Sequence, residues 1–189
     1  MVERRCEYCG TGIFTMRSDA RFCSPTHRVY QSRKQRIHHK LPAELTEKKR
    51  FLRFSSTKVP LTVTGRAGSS TNPSTWSTYE EALSSTVGAG IGFVLNGDGI
   101  GVIDLDHCIE NERVAPWAQT IIDANAGTFM ETSISGTGVH IWGLLESRPG
   151  RVIRDGRAIE IYSTGRYIAL GVPMAKTSTN LERLVLPVY

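Results

Sequence analysis

The chain has 189 residues, 40% hydrophobic and 22% charged, with a formal net charge of +5. That length suits one ordinary domain with a small accessory module, and the composition excludes a largely disordered chain. No apolar run approaches the ~18 residues of a membrane span, and the opening MVERRCEYCG holds no signal-peptide core, so the expectation is a cytoplasmic protein with no membrane partner.

The charge is unevenly placed. Residues 1–53 carry 13 Lys and Arg against 5 Asp and Glu, whereas residues 54–189 carry 10 against 13. A basic head favours polyanions, because neutralising phosphates releases condensed counterions. Three of the four cysteines lie in the first 23 residues. Cys6-x-x-Cys9 puts two thiolates on one tight turn. Cys23-x-x-x-His27 puts a second pair on one face of a helix that Ser24-Pro25 would open. Four such ligands make a closed tetrahedral site for structural Zn2+, holding together a segment too small for a core of its own. Three buried cysteines and one surface histidine would explain the spacing less well. The segment CEYCGTGIFTMRSDARFCSPTHR resembles small zinc-ribbon-like modules, with His27 where a fourth cysteine is usual. Cys108 stands alone in an apolar run, as in a reducing compartment.

Beyond the cysteines, Arg28, Arg33, Lys34 and Arg36 recur along one predicted helix and would lie against phosphates without reading bases. The organisation expected is a zinc-binding basic module over 1–40, a linker over 41–57 (helical in part from Ala43 to Phe54), and a catalytic body over 58–189. TGRAGSSTNPST (64–75) reads as a loop. Ser77-Thr78-Tyr79-Glu80 has capping-box spacing and opens a short helix to about Ser85.

IGFVL (91–95) and IGVIDLD (100–106), split by NGDG, predict a hairpin. In the second strand, alternation puts Val102, Asp104 and Asp106 on one face. Two like charges about 7 Å apart at the backbone repel unless a cation lies between them. A helix follows over 115–125, then a strand near GTFMETS. SGTGVHIWGLL (135–145) places a glycine-rich turn before a strand with His140 and Trp142 on one face. The glycines permit close backbone approach, and Ser135 with the local amides can donate to an anion. AIEIYS (158–163) carries Glu160 opposite its core-facing isoleucines, and GRYIALGV begins with Arg166. Trp76, Tyr79 and Trp142 are candidates to stack on bases, with helix packing the favoured role for Tyr79.

The order Asp-x-Asp on a strand, Ser-Gly-x-Gly-x-His, then a strand acid resembles the archaeo-eukaryotic primase superfamily, in particular the primase-polymerase domains of phages, plasmids and prophages. The resemblance covers Lys58 to Gly171, through TNPSTWSTYEEAL, GIGFVLNGDGIGVIDLDHCI, ETSISGTGVHIW and IEIYSTGRYIALG. It implies an α+β fold: an RRM-like antiparallel sheet with helices plus a smaller α/β subdomain. It implies that Asp104, Asp106 and Glu160 ligate two Mg2+ or Mn2+ ions. His140 would contact the phosphates of the incoming nucleotide, with Ser135, Gly136 and Gly138 beside it, and Arg166 would be a further phosphate contact. Thr137 stands where some members carry a basic residue. The implied activity is primer synthesis or extension on a single-stranded DNA template from nucleoside triphosphates. A sequence ending at Tyr189 leaves no room for a fused helicase, so a separate helicase is the expected partner. Two readings compete: a non-catalytic zinc-dependent nucleic-acid-binding protein, which leaves the acids without purpose, and a metal-dependent phosphodiesterase, which three acids and a histidine would also suit.

Overall fold

The computed structural model describes residues 4–7, 11–14, 16–28 and 41–187. The chain divides into two compact units, Met1–His39 and Lys40–Tyr189. In the first, Arg5 and Gly12 form an antiparallel bridge and Cys6 N–H bonds the carbonyl of Thr11. The expected turn after Ser24 is present: residues 25–28 are helical, and His27 N–H is held by Ser24 Oγ at 3.1 Å. Cys9, Arg33, Lys34 and Arg36 lie outside the described residues.

The second unit is α+β with antiparallel sheets and few helices. It contains α1 (Ala43–Thr46), β1 (Phe51–Phe54), β2 (Pro60–Leu61), α2 (Tyr79–Ser84), β3 (Gly90–Asn96) and β4 (Ile100–Asp106). It continues through β5 (Ile109–Glu110), β6 (Arg113–Val114), α3 (Pro116–Ala124), β7 (Met130–Thr132) and β8 (Val139–Leu144). The last strands are β9 (Arg151–Arg154), β10 (Ala158–Tyr162), β11 (Thr164–Ala169) and β12 (Val172–Pro173). A four-stranded sheet runs β11-β3-β1-β2 and a six-stranded sheet runs β12-β7-β8-β4-β10-β9.

Side-chain alternation divides the six-stranded sheet into two differently covered faces. Ile103, Leu105, Ile141, Ile159 and Ile161 pack with Ala118, Ile121 and Ile122 of α3. On the opposite face, Val102 and Trp142 pack with Phe51, Phe93 and Leu95 of the four-stranded sheet. Phe93 meets Trp142 edge-on with ring centroids 5.8 Å apart. The same face continues along β4 to Asp104 and Asp106, so one strand supplies both apolar core and acid site.

Three expectations are corrected. The segment 41–57 is no linker: Arg50–Phe54 is buried, and β1 pairs with β3 inside the four-stranded sheet. β3 and β4 are strands but not a hairpin, because they belong to different sheets. Gly97 and Gly99 take φ of +86° and +97°, conformations only glycine adopts cheaply. Asp98 between them is tied down by Arg50 at 2.8 Å and Lys48 at 3.3 Å. Both flanking strands are largely buried, as expected of strands covered on both faces rather than a two-stranded ribbon. The capping box is also displaced by one residue: Thr78 caps α2 and Glu81, not Glu80, returns the bond.

Candidate active site

Register places the site in a line across four strands. Glu131 on β7 stands opposite His140 on β8, His140 opposite Asp104 on β4, and Asp104 opposite Glu160 on β10. Asp106 opposes Ala158, which opposes Arg154 on β9. Asp104, Asp106, His140 and Glu160, picked out from sequence, therefore share one face of one sheet.

Asp104 is mostly buried, and its Oδ1 has no hydrogen-bond partner; His140 Nε2 is the nearest cationic candidate, at 3.6 Å. Burial pushes the Asp104 carboxyl up to about 6, with Asp106 and Glu160 adding repulsion and His140 and Lys58 opposing it. His140 is only 7% exposed. Burial disfavours its charged form, but the hydrogen bond from Nδ1 to Glu131 Oε1 at 2.8 Å and the charges of Glu131, Asp104 and Asp106 prevail and raise its pKa.

Glu160 has other partners. Arg154 Nη2 and Arg166 Nη2 form ion pairs with its two oxygens, the latter at 3.2 Å, and Tyr162 Oη donates to Oε2 at 2.7 Å. Burial works against the Glu160 carboxylate, but the Tyr162 and Arg154 hydrogen bonds and the two guanidinium charges hold it below the usual range. Burial and the bond to Glu160 push the Tyr162 hydroxyl up to about 12. Arg166 also lies over the Tyr162 ring, 4.4 Å from its centroid.

The glycine-rich turn is satisfied internally. Gly136 N–H bonds the Ser133 carbonyl at 2.9 Å, Gly138 N–H bonds Ser133 Oγ at 3.1 Å, and Ser135 Oγ lies between Ser133 Oγ and Thr137 Oγ1. These amides are not free to cradle an anion as expected from sequence. The close approach that Gly138 permits is to protein: a Cβ there would lie 2.7 Å from the Leu105 carbonyl oxygen. The turn is thus fitted against the Asp-x-Asp strand. Ser135 and Gly136 are exposed on it.

The base-stacking candidates are corrected as well. Trp142 is fully buried and donates to Glu131 Oε1, while Trp76 is buried and donates to the Ser69 carbonyl. Sequence reading overlooked Glu131, Arg154 and Tyr162. The signal for Glu131 was an acid inside an apolar strand, the same signal that marked Asp104.

Among the described residues, the set of metal-capable side chains whose ligand atoms all lie within 4.8 Å of one another is Cys6, Cys23 and His27. Cys23 Sγ is 2.9 Å and Cys6 Sγ 3.9 Å from His27 Nδ1. The acids of the sheet do not converge that closely. Their chemistry nonetheless fits a hard divalent cation at Asp104, where a buried carboxylate oxygen has no donor and like charges stand beside it. Glu160 would join only by giving up its arginine partners.

No protein-family profile matches the chain. The chain is similar to a phage DNA primase-polymerase. That relative, from Nitratiruptor phage NrS-1, is 36% identical over 127 residues, 60% of this chain. The match spans only 17% of the relative's length. No helix among the described residues is long and apolar enough to cross a membrane.

Proposed function

We propose that the unit Lys40–Tyr189 is a DNA-dependent nucleotidyltransferase of the archaeo-eukaryotic primase kind. It makes or extends primers on single-stranded DNA in phage, plasmid or prophage replication. The observation that carries this reading is the line Glu131–His140–Asp104–Glu160, with Asp104, whose buried Oδ1 accepts no hydrogen bond, at its centre. Similarity to a phage DNA primase-polymerase supports it.

Asp104, Asp106 and Glu160 would hold two Mg2+ or Mn2+ ions. When bound, such ions stabilise charge on the attacking 3′-oxygen and on the departing pyrophosphate. Burial raises the Asp104 pKa to about 6, so a cation held there would displace a proton mainly below about pH 6. His140, its charged form favoured by Glu131, presents Nε2 toward the same space and donates to phosphate oxygen. Arg154 and Arg166, which pair with Glu160, would be available to the triphosphate if Glu160 held the cation instead. Cys6, Cys9, Cys23 and His27 would hold structural Zn2+, and Arg28, Arg33, Lys34 and Arg36 would grip the template backbone. A separate helicase would supply single strands.

Labelled nucleotides, an unprimed single-stranded template and Mn2+ test the reading directly. Products longer than the input nucleotides support it. Degraded template would indicate a phosphodiesterase, and unchanged substrates with bound DNA a binding protein.

A further inference from the structure

We propose that Glu131 is the positioning residue for His140, fixing the imidazole so that Nε2 faces Asp104 and the phosphates of the nucleotide. This rests on the nucleotidyltransferase reading and adds to it a residue outside the Asp-x-Asp, histidine and strand-acid set.

Glu131 is 0% exposed, a carboxylate with no access to water. Three N–H donors from separate places converge on it. His140 Nδ1 at 2.8 Å and Trp142 Nε1 at 3.0 Å reach Oε1, and the backbone N–H of Gly171 reaches Oε2 at 2.9 Å. Donors on both oxygens leave the carboxyl group no freedom to rotate. The acceptor on Nδ1 in turn sets the ring plane and the nitrogen left over, which is the one 3.6 Å from Asp104 Oδ1. An apolar residue would pack more cheaply than a buried carboxylate. A carboxamide cannot replace it, since it offers a single acceptor oxygen and turns an N–H toward one of the three donors.

A purely structural alternative exists, because Glu131 also links β7 to β8 and to the segment after β11. A double-mutant cycle separates the two roles. Glu131→Gln, His140→Ala and the double variant are compared for nucleotide KM and kcat in primer extension and for thermal midpoint. The positioning role predicts that Glu131→Gln raises nucleotide KM about ten-fold, the loss of one charge-assisted contact. It predicts a smaller change in kcat. In the His140→Ala background the same substitution changes KM by less than about two-fold. Trp142→Phe, which removes another donor to Oε1, lowers the thermal midpoint but leaves KM within about two-fold. Should Glu131→Gln not accumulate folded, Glu131→Asp, which keeps the charge and shortens the reach, takes its place in the cycle. Equal KM effects with and without His140, or a lowered midpoint with unchanged KM, would overturn the positioning role alone. Wild-type protein that neither extends primers nor binds nucleotide would overturn the nucleotidyltransferase reading and this role with it.

Discussion

Asp104 sits where two demands conflict. Strand alternation puts it on the face shared with Val102 and Trp142, and burial there raises its pKa to about 6. An unfolded aspartate titrates near ~3.9. The folded protein therefore binds this proton more tightly, and the contribution of Asp104 to metal-free stability is lost as pH rises from about 4 to about 6. Asp104→Asn is expected to remove that contribution to the slope and to raise metal-free stability at pH 7 by on the order of 2 kcal/mol. Thermal melts of both proteins from pH 4 to 7 in chelator check this, and parallel curves would contradict it. Mg2+ should recover the lost stability in wild type only. Glu160 has the opposite sign: Tyr162, Arg154 and Arg166 hold its pKa low, so its contribution is lost as pH falls through the folded value. The Asp-x-Asp pair, His140 and Glu160 were visible in sequence because alternation in apolar strands is a local signal. Arg154 was not, because only the β9–β10 pairing carries it to Glu160.

At the scale of elements, most central strands and α3 were legible, and their pairing was not. Two apolar runs around NGDG satisfy the local rule for a hairpin, yet β3 pairs with β1 and β11 while β4 pairs with β8 and β10. Local turn chemistry cannot reveal that both strands have better partners elsewhere. The segment around β1 was misread for a related reason: FLRF, beside KKR, shows charge and length typical of a connector, and only pairing with Gly90–Phe93 marks it as core. The crossing from β3 to β4 lies beside the one from β10 to β11, where Gly97 N–H bonds the Ser163 carbonyl at 2.8 Å. A Cβ on Gly97 would lie 2.8 Å from Ser147 Oγ in a conformation with φ of +86°. Gly97→Ala is therefore expected to destabilise the unit by about 1–3 kcal/mol. Denaturant titration reads this directly, and a loss below a few tenths of a kcal/mol would contradict the crossing geometry.

Over the whole molecule, charge and chemistry are segregated. The basic first unit, with 8 Lys and Arg against 3 Asp and Glu, holds the Cys6, Cys23 and His27 cluster, and the second unit, with 15 of each, holds the carboxylate line. A cationic module assists most when a template must be captured without a primer to hold it. Removing residues 1–40 is expected to reduce de novo primer synthesis at least about ten-fold more than extension of an annealed primer at physiological salt. Parallel assays of the two activities check this, and equal losses would contradict the division of labour. The central claim concerns the acids. In protein carrying both Asp104→Ala and Asp106→Ala, primer extension should vanish while affinity for single-stranded DNA stays within about two-fold of wild type. Extension that survives the double substitution would contradict the account.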